Sequence, residues 1–361
     1  MPVGLIYDEI YLKHEVGVHV ETPKRLIVAK NFLEEKGMWN SKDFPVIKPR
    51  KATIDQIKYV HSERLIEQIK ELSDLAAKTE SLKNIDLDTV VSGDTFESSL
   101  YSVGGNLTGI DKILKGEISS AFGLVRPPGH HSNRYKCAGF CIFNNIAIAA
   151  EYLFREKNIK KVAIFDWDCH HGNGTQDIFY DGSENGQLLF FSSHQDGRTL
   201  YPGTGFTNEI GSGKGEGHII NFPMAPSSGD DIIQLLYKEI AIPITNEFKP
   251  EFILISAGFD THHTDLLTRM GWTIQGPANL TKLIKSLADD YANGKILITL
   301  EGGYELDKQA QAIYNVLKVL NSETDLISED ERKSDEKIFE YTQERLIKQI
   351  KNNLSEYWDC F

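Results

Sequence analysis

Short apolar runs, rich in β-branched and aromatic residues, alternate with helical patterns from residue 1 to about residue 320. Six runs have the length and composition of strands, namely Val3–Tyr7, Ser119–Val125, Lys161–Asp166, Leu188–Ser193, Phe252–Ser256 and Lys295–Leu300. Several are apolar throughout, which is typical of strands that helices cover on both faces. Helical spacing occurs between them, for example in Phe143–Arg155, Ile232–Phe248 and Leu280–Asn293. The alternation predicts an α/β fold with three αβα layers around a central, mostly parallel sheet.

The overall composition narrows the classes of function. The 361 residues are 40% hydrophobic and contain no apolar run near the roughly 18 residues of a membrane span. A net charge of −13 argues against direct nucleic-acid binding, because Lys and Arg contacts dominate that affinity. The four cysteines form no disulfide-dense pattern, and the N-terminus lacks the basic region of a signal peptide. We therefore expect an intracellular, cytoplasmic protein.

Four of the apolar runs are followed by groups that bind metals or transfer protons. The segments concerned are Arg126–His131, Asp166–His171, Ala257–Asp260 and Glu301–Tyr304. Because the carboxyl ends of parallel strands open into one crevice, these groups can converge although they are far apart in sequence.

Asp168, His170 and Asp260 form the candidate metal set. Side chains alternate along an extended chain, so Asp168 and His170 share one side, together with Asp166. Two carboxylates and one imidazole leave an open position on a tetrahedral zinc ion, as in catalytic zinc sites. Iron and cobalt accept similar ligands. Asp166 has three possible roles: a hydrogen-bond partner that supports the metal site, a ligand of a monovalent cation, or a buried structural residue.

The adjacent histidines His130 and His131 follow a rigid Pro-Pro-Gly turn. A histidine of near-neutral pKa can take a proton from water and return it to a leaving amine. Asp166 and Asn173 are the candidate partners that would fix the two ring tautomers. Tyr304 follows two glycines and could donate to a developing oxyanion. We interpret the second pair of adjacent histidines, at 262 and 263, as surface-loop residues.

Five segments, in this order, resemble the zinc-dependent histone deacetylase superfamily, namely Arg126–His131, Gly139–Asn145, Asp166–Gly174, Tyr201–Gly205 and Glu301–Tyr304. The resemblance extends from residue 1 to about residue 320 and implies the arginase–deacetylase fold. It implies a zinc-dependent amidohydrolase that removes acetyl or other acyl groups from lysine side chains of proteins or peptides. The superfamily also contains acetylpolyamine amidohydrolases, so a small-molecule amide substrate is the alternative.

The resemblance assigns roles to the residues of these motifs. The implied zinc ligands are Asp168, His170 and Asp260. His131 would act first as general base and then as general acid, with Asn173 as its partner. His130 would stabilise charge, and Tyr304 would polarise the acyl carbonyl.

Further positions match the substrate tunnel and the ion sites of the superfamily. The implied tunnel walls are Gly139, Phe140, Tyr201 and Leu267. A structural potassium ion is implied around Asp166, Asp168, His170 and Ser192. Arg25 resembles an arginine near an internal cavity, and Asp88 is a weaker candidate for holding the substrate backbone.

Two departures from the family pattern bear on the substrate. Asn173 stands where class I deacetylases carry an aspartate, which places the chain nearer class II and its prokaryotic relatives. The loop Asn84–Thr95 is shorter than the insertion that polyamine enzymes use to narrow their channel. Outside this activity, a catalytically silent acyl-lysine binder and an arginase-like ureohydrolase are the competing hypotheses. The intact ligand set and the few carboxylates near residues 166–174 disfavour them.

The composition changes after about Asn321, where a charged stretch precedes apolar residues at helical spacing in Lys337–Trp358. We predict a catalytic domain at residues 1–321, followed at residues 322–361 by a charged linker and an amphipathic helix. The helix either docks on its own domain or forms a subunit contact, so a homo-oligomer stays an alternative.

Overall fold

A parallel sheet is the centre of the computed structural model, which describes residues 1–361. The strands, numbered along the chain, are β1 (Val3–Ile6), β2 (Val46–Ile47), β3 (Lys83–Asn84), β4 (Val90–Val91), β5 (Ser120–Gly123), β6 (Lys161–Asp166), β7 (Gln187–Gln195), β8 (Ile219–Met224), β9 (Phe252–Ala257) and β10 (Ile296–Leu300). Eight of them form one sheet in the order β2–β1–β5–β10–β9–β6–β7–β8, with every neighbouring pair parallel. Strands β3 and β4 form a separate antiparallel pair.

Helices flank this sheet and complete the three αβα layers that the sequence predicts. They are α1 (Lys24–Glu35), α2 (Ile54–Ile57), α3 (Glu63–Thr79), α4 (Thr95–Leu114), α5 (Asn145–Lys157), α6 (Asn173–Phe179), α7 (Asp230–Leu236), α8 (Ile242–Phe248), α9 (Gln275–Tyr291), α10 (Leu306–Leu320), α11 (Glu336–Tyr341) and α12 (Ile347–Leu354). Short 3₁₀ turns lie at Glu9–Lys13 and Gly213–Gly215, and π-helical turns at Tyr237–Ala241 and Thr342–Leu346. None of the helices combines the length and the apolar character that a bilayer crossing requires.

The middle of the sheet is apolar on both faces. All residues of β9 and of β10 are buried, as expected for parallel strands between two helical layers. Helices α4 and α5 pack against each other, and α10 packs against both α1 and α9. Strands β5, β10, β9 and β6 are parallel neighbours in the sheet, so the segments that follow these four strands lie at one edge.

The six predicted strands are confirmed, with end points that differ by up to two residues. The sequence did not reveal β8 and β2. Strand β8 lies at the sheet edge and includes Pro223, which removes a backbone donor and masks the strand pattern. Strand β2 has only two residues. The loop predicted at residues 84–95 instead contains the end of a small hairpin, made by β3 and β4.

The C-terminal helices pack against the rest of this chain. Leu346, Ile347, Ile350 and Leu354 are buried in the same hydrophobic cluster as the sheet residues. The indole Nε1 of Trp358 donates to the carbonyl oxygen of Gly217 at 2.7 Å. Docking within the chain, the first of the two alternatives, is therefore the observed arrangement, while a domain boundary at residue 321 stays a prediction.

Candidate active site and metal centre

The candidate ligands converge at the carboxyl edge of the sheet. Asp168 and His170 follow β6, and Asp260 follows β9. Their ligand atoms all lie within 4.8 Å of one another. The Nδ1 atom of His170 is 3.1 Å from Asp168 Oδ1 and 2.9 Å from Asp260 Oδ2. The alternation argument assumed that Asp168 and His170 continue the extended strand. Strand β6 ends at Asp166, however, so a buried loop holds these two residues.

The donor set fits a divalent zinc ion. All three residues are almost fully buried. Burial, together with the charge of Asp168, raises the pKa of Asp260, as expected for two carboxylates in one small space. A divalent cation would offset that repulsion, and oxygen and imidazole nitrogen are ordinary zinc ligands. Asp168, His170 and Asp260 are therefore suited to hold zinc.

Backbone amides orient both carboxylates. Cys169 N donates to Asp260 Oδ1 at 2.9 Å, and Gly302 N donates to Asp168 Oδ2 at 2.7 Å. A Cβ atom at Gly302 would lie 2.6 Å from an oxygen of each carboxylate, so glycine is required for this close approach. One amide thus comes from the loop after β6 and the other from the loop after β10, and each holds a carboxylate of a different loop, which is the kind of support that metal ligands need.

The adjacent histidines have different partners. His130 Nδ1 lies 3.0 Å from Asp166 Oδ2, whereas His131 Nδ1 lies 2.7 Å from Asn173 Oδ1. Burial lowers the pKa of His130, but the carboxylates of Asp166 and Asp168 outweigh it and raise the value to about 10. Burial holds the pKa of His131 well below its ordinary range, and the charge of His130 lowers it further. His130 is thus suited to carry charge, while His131 is neutral, as a general base must be before it takes a proton.

Tyr304 lies in the same site as the two histidines and the metal ligands, and its hydroxyl group is free to bind a substrate. Its backbone N–H donates to Asp265 Oδ2 at 2.8 Å, while its hydroxyl makes no hydrogen bond within the chain. Burial raises the pKa of Tyr304 well above its ordinary value, so the phenol stays protonated. A protonated phenol beside the metal ligands can donate to an oxyanion.

A cavity of about 250 Å³ connects these groups to solvent. Its deep part is lined by the two histidines of residues 130–131, by Asp168 and His170, and by Tyr304. All four predicted tunnel residues line it as well, namely Gly139, Phe140, Tyr201 and Leu267. Asp166 and Asn173 lie behind the histidines that they orient. The turn between β3 and β4 brings Asp88 to the same cavity.

Several residues of the site could not be assigned from local sequence. Glu301 accepts from Gly129 N at 2.8 Å and from His130 N at 3.2 Å, which fixes the turn before the histidines. The ring of His19 packs edge-on against Phe140, with 4.6 Å between centroids. The interpretation of His262 as a surface residue was wrong, since it is buried and bonded to Glu329.

A buried ion network supports the segment that carries Tyr304. Arg25 donates to the carbonyl oxygens of Gly303 at 2.7 Å and of Glu301 at 2.5 Å. Its guanidinium also lies 5.1 Å from the centre of the Tyr304 ring. The carboxylate of Glu21 pairs with Arg25 at 3.1 Å, and with a second buried guanidinium at 2.6 Å. That second group belongs to Arg126, so one carboxylate serves two cations.

Replacing Glu21 by glutamine is expected to cost about 3 kcal/mol of stability, because it leaves two buried guanidiniums without a counter-charge. Both arginines keep hydrogen bonds to main-chain carbonyl oxygens. The expected cost therefore lies at the lower end of the range for a broken buried ion pair. Denaturant unfolding at neutral pH measures it. Glu15→Gln, at an exposed position, is the control and should change little.

The same substitution changes the pH dependence of stability. Burial raises the pKa of Glu21, but Arg126 and Arg25 outweigh it and lower the value to about 2, from 4.5. A depressed folded-state pKa stabilises the protein above the unfolded value, and this contribution is lost as pH falls through the folded one. Between pH 4.5 and 2, the wild type should therefore lose the stabilisation that the ionised Glu21 provides. An identical loss in Glu21→Gln would contradict the assignment.

Comparison with known proteins gives results that agree with this geometry. The histone deacetylase domain family matches residues 19–320. A probable deacetylase of Archaeoglobus fulgidus is 36% identical over 100% of both chains. Histone deacetylase 18 of Arabidopsis thaliana is 35% identical over 99% of this chain and 52% of its own length. Histone deacetylase HDA1 of Saccharomyces cerevisiae is 31% identical over 100% of this chain and 53% of its own.

A solved structure is similar over almost the whole chain. The crystal structure of the HDA15 HD domain superposes with a TM-score of 0.87, at 30% sequence identity. The superposition covers 99% of this chain and 96% of that one. With the arginase–deacetylase fold, the matched domain and the deacetylase relatives all in agreement, this chain belongs to the histone deacetylase family.

Proposed function

We propose that the protein is a zinc-dependent amidohydrolase that removes acetyl groups from lysine side chains of proteins or peptides. The observation that carries the proposal is the convergence of five groups in one site. Asp168, His170, His131 and Tyr304 line the cavity, and the third candidate ligand, Asp260, is clustered with Asp168 and His170. Few structural roles need a base, an acid donor and three metal-type ligands at the end of one narrow pocket.

The cavity walls suit an acylated lysine. Phe140 and Tyr201 line the cavity, and the apolar stem of a lysine can pack against their rings. Gly139 lets the backbone approach His131 closely, since a Cβ atom there would lie 2.4 Å from a ring carbon of that residue. Leu267 extends the apolar wall toward the mouth. The acyl end of the substrate would then reach the metal ligands.

The residues divide the chemistry between them. Zinc held by Asp168, His170 and Asp260 would supply Lewis-acid polarisation of the acyl carbonyl. Tyr304 donates a hydrogen bond from its phenol group to the carbonyl oxygen as negative charge develops there. His131, which is neutral and oriented by Asn173, accepts a proton from the attacking water and returns it to the leaving amine. His130, charged beside Asp166, stabilises the negative charge of the tetrahedral species.

A small-molecule amide, such as an acetylpolyamine, is the second candidate substrate. Asp88 lines the cavity mouth, and its carboxylate can accept either a peptide N–H or the ammonium group of a polyamine. The apolar side chain of Leu267 at the same mouth favours the lysine substrate, because it offers no charge to a second ammonium group.

Metal removal and a substrate panel test the proposed function together. Chelated enzyme should lose turnover, and stoichiometric zinc should restore it more fully than cobalt or iron. The restored enzyme should show a higher kcat/KM for acetyl-lysine peptides than for acetylputrescine, and the panel should include longer acyl groups. Full activity after complete metal removal would contradict the zinc mechanism. A preference for acetylputrescine would instead select the alternative substrate.

Further properties are proposed on the strength of the resemblance. A structural potassium ion would lie around Asp166, Asp168, His170 and Ser192, of which Asp166 and Ser192 are paired on neighbouring strands. From the net charge of −13 and the pattern of cysteines, we also propose a cytoplasmic location and a substrate recognised without direct nucleic-acid contact. A homo-oligomer stays the alternative to a monomer.

A further inference from the structure

The loop at residues 261–274 supports three parts of the active site. It begins directly after Asp260, and the hydroxyl of Thr268 within it donates to the carbonyl oxygen of Asp260. Asp265 accepts from Tyr304 N at 2.8 Å, and Leu267 forms part of the cavity wall. The position of this loop therefore affects a metal ligand, the oxyanion donor and the substrate wall.

One carboxylate holds both ends of that loop. Glu329 Oε2 accepts from His262 Nε2 at 2.9 Å, near the start of the loop, and from Ile274 N at 3.1 Å, at its end. Its other oxygen accepts from Lys308 Nζ at 2.8 Å and from His263 Nε2 at 3.4 Å. The carboxylate thus links the two ends of the loop to each other and to helix α10.

Two imidazoles and a carboxylate also have the composition of a metal site, but this cluster is already neutralised. The ammonium group of Lys308 supplies the positive charge that an ion would bring. Four N–H donors occupy the two oxygens of Glu329. The contacts are those of a clamp made by hydrogen bonds rather than of a metal cage.

We propose that Glu329 is a positioning residue that clamps the loop at residues 261–274 and thereby holds Asp260, Leu267 and Tyr304 in place. Glu329 lies outside residues 19–320, which match the family domain. The charged segment after α10 therefore contributes to the active site instead of serving only as a linker. The inference rests on the proposed function only for its activity measurement.

Glu329→Gln and Glu329→Ala test this role, with Glu331→Gln as the matched control. Glu331 lies in the same segment, is exposed and makes no ion pair. With an acetyl-lysine peptide, Glu329→Ala should lower kcat about 10-fold and change KM much less, because small displacements of reacting groups act mainly on the rate. Glu329→Gln, which keeps one acceptor oxygen, should fall between alanine and wild type. Glu331→Gln should match wild type.

Hydrogen–deuterium exchange and zinc content provide readouts that do not require activity. Exchange at residues 261–274 should rise in Glu329→Ala, while strands β6 and β9 stay protected and zinc stays at one ion per chain. Unchanged kcat and loop exchange would overturn the proposal, and so would an equal rise across the whole sheet. A second zinc ion lost only in the Glu329 variants would assign the cluster to a metal. An inactive wild type would refute the proposed function, while the exchange comparison would still decide the clamp.

Discussion

Tyr304→Phe enzyme is expected to bind zinc as the wild type does and to deacetylate a lysine peptide about 10²–10³ times more slowly. The substitution removes one hydroxyl, which makes no hydrogen bond within the chain. It keeps the ring, which packs against Phe140 at 5.9 Å and against the Arg25 guanidinium at 5.1 Å. The folded structure should therefore be almost unchanged, and the loss should appear in the chemical step.

Steady-state kinetics and zinc analysis of the purified protein measure this effect. The fall should lie mainly in kcat, because the hydroxyl interacts most strongly with charge that develops in the transition state. Tyr135→Phe is the control, since Tyr135 is exposed and outside the cavity. Wild-type activity in zinc-loaded Tyr304→Phe protein would refute the proposed role of the hydroxyl.

Asp260→Asn is expected to abolish turnover and the stabilisation that zinc gives to the wild type. In the variant, the amide oxygen can still accept a hydrogen bond from Cys169 N, which in the wild type donates to Asp260 Oδ1 at 2.9 Å. The amide is uncharged, however, and is a poor zinc ligand beside a carboxylate. Zinc at 100 times its dissociation constant should add about 2.7 kcal/mol to the wild type and little to the variant.

Thermal unfolding of chelated protein, with and without added zinc, separates metal binding from folding. The metal-free variant should be about as stable as the metal-free wild type, because His170 Nδ1 keeps its contact with Asp168 Oδ1 at 3.1 Å. Asp177→Asn, at an exposed position, should keep the zinc effect in full. A zinc-dependent shift that survives in Asp260→Asn would place the metal elsewhere.

The layers of the fold could be predicted because they follow from local patterns. Buried strands such as β9 and β10 are continuous apolar runs, and a run of this kind is visible without any knowledge of its neighbours. Strand β8 escaped prediction because Asn221 and Pro223 interrupt its apolar pattern at the edge of the sheet. The order of strands was also out of reach, since it depends on which helices pack together.

The candidate site could be predicted in part for the same reason. Asp168 and His170 are two residues apart, so alternation alone indicates that they share one side, although β6 proves to end at Asp166. Their convergence with Asp260 needed only the rule that parallel strands end at one edge. The resemblance supplied the tunnel residues, and all four line the observed cavity.

The sequence by itself determined the layered α/β architecture and the strand-end groups, because hydrophobic periodicity and side-chain alternation are properties of neighbouring residues. Only the tertiary structure decided which distant group satisfies each buried charge. Glu21 faces two arginines, Glu301 caps the turn before His130, and Glu329 clamps the loop after Asp260. Buried polar groups must find partners wherever packing brings a donor or acceptor within reach, and no local pattern records that distance.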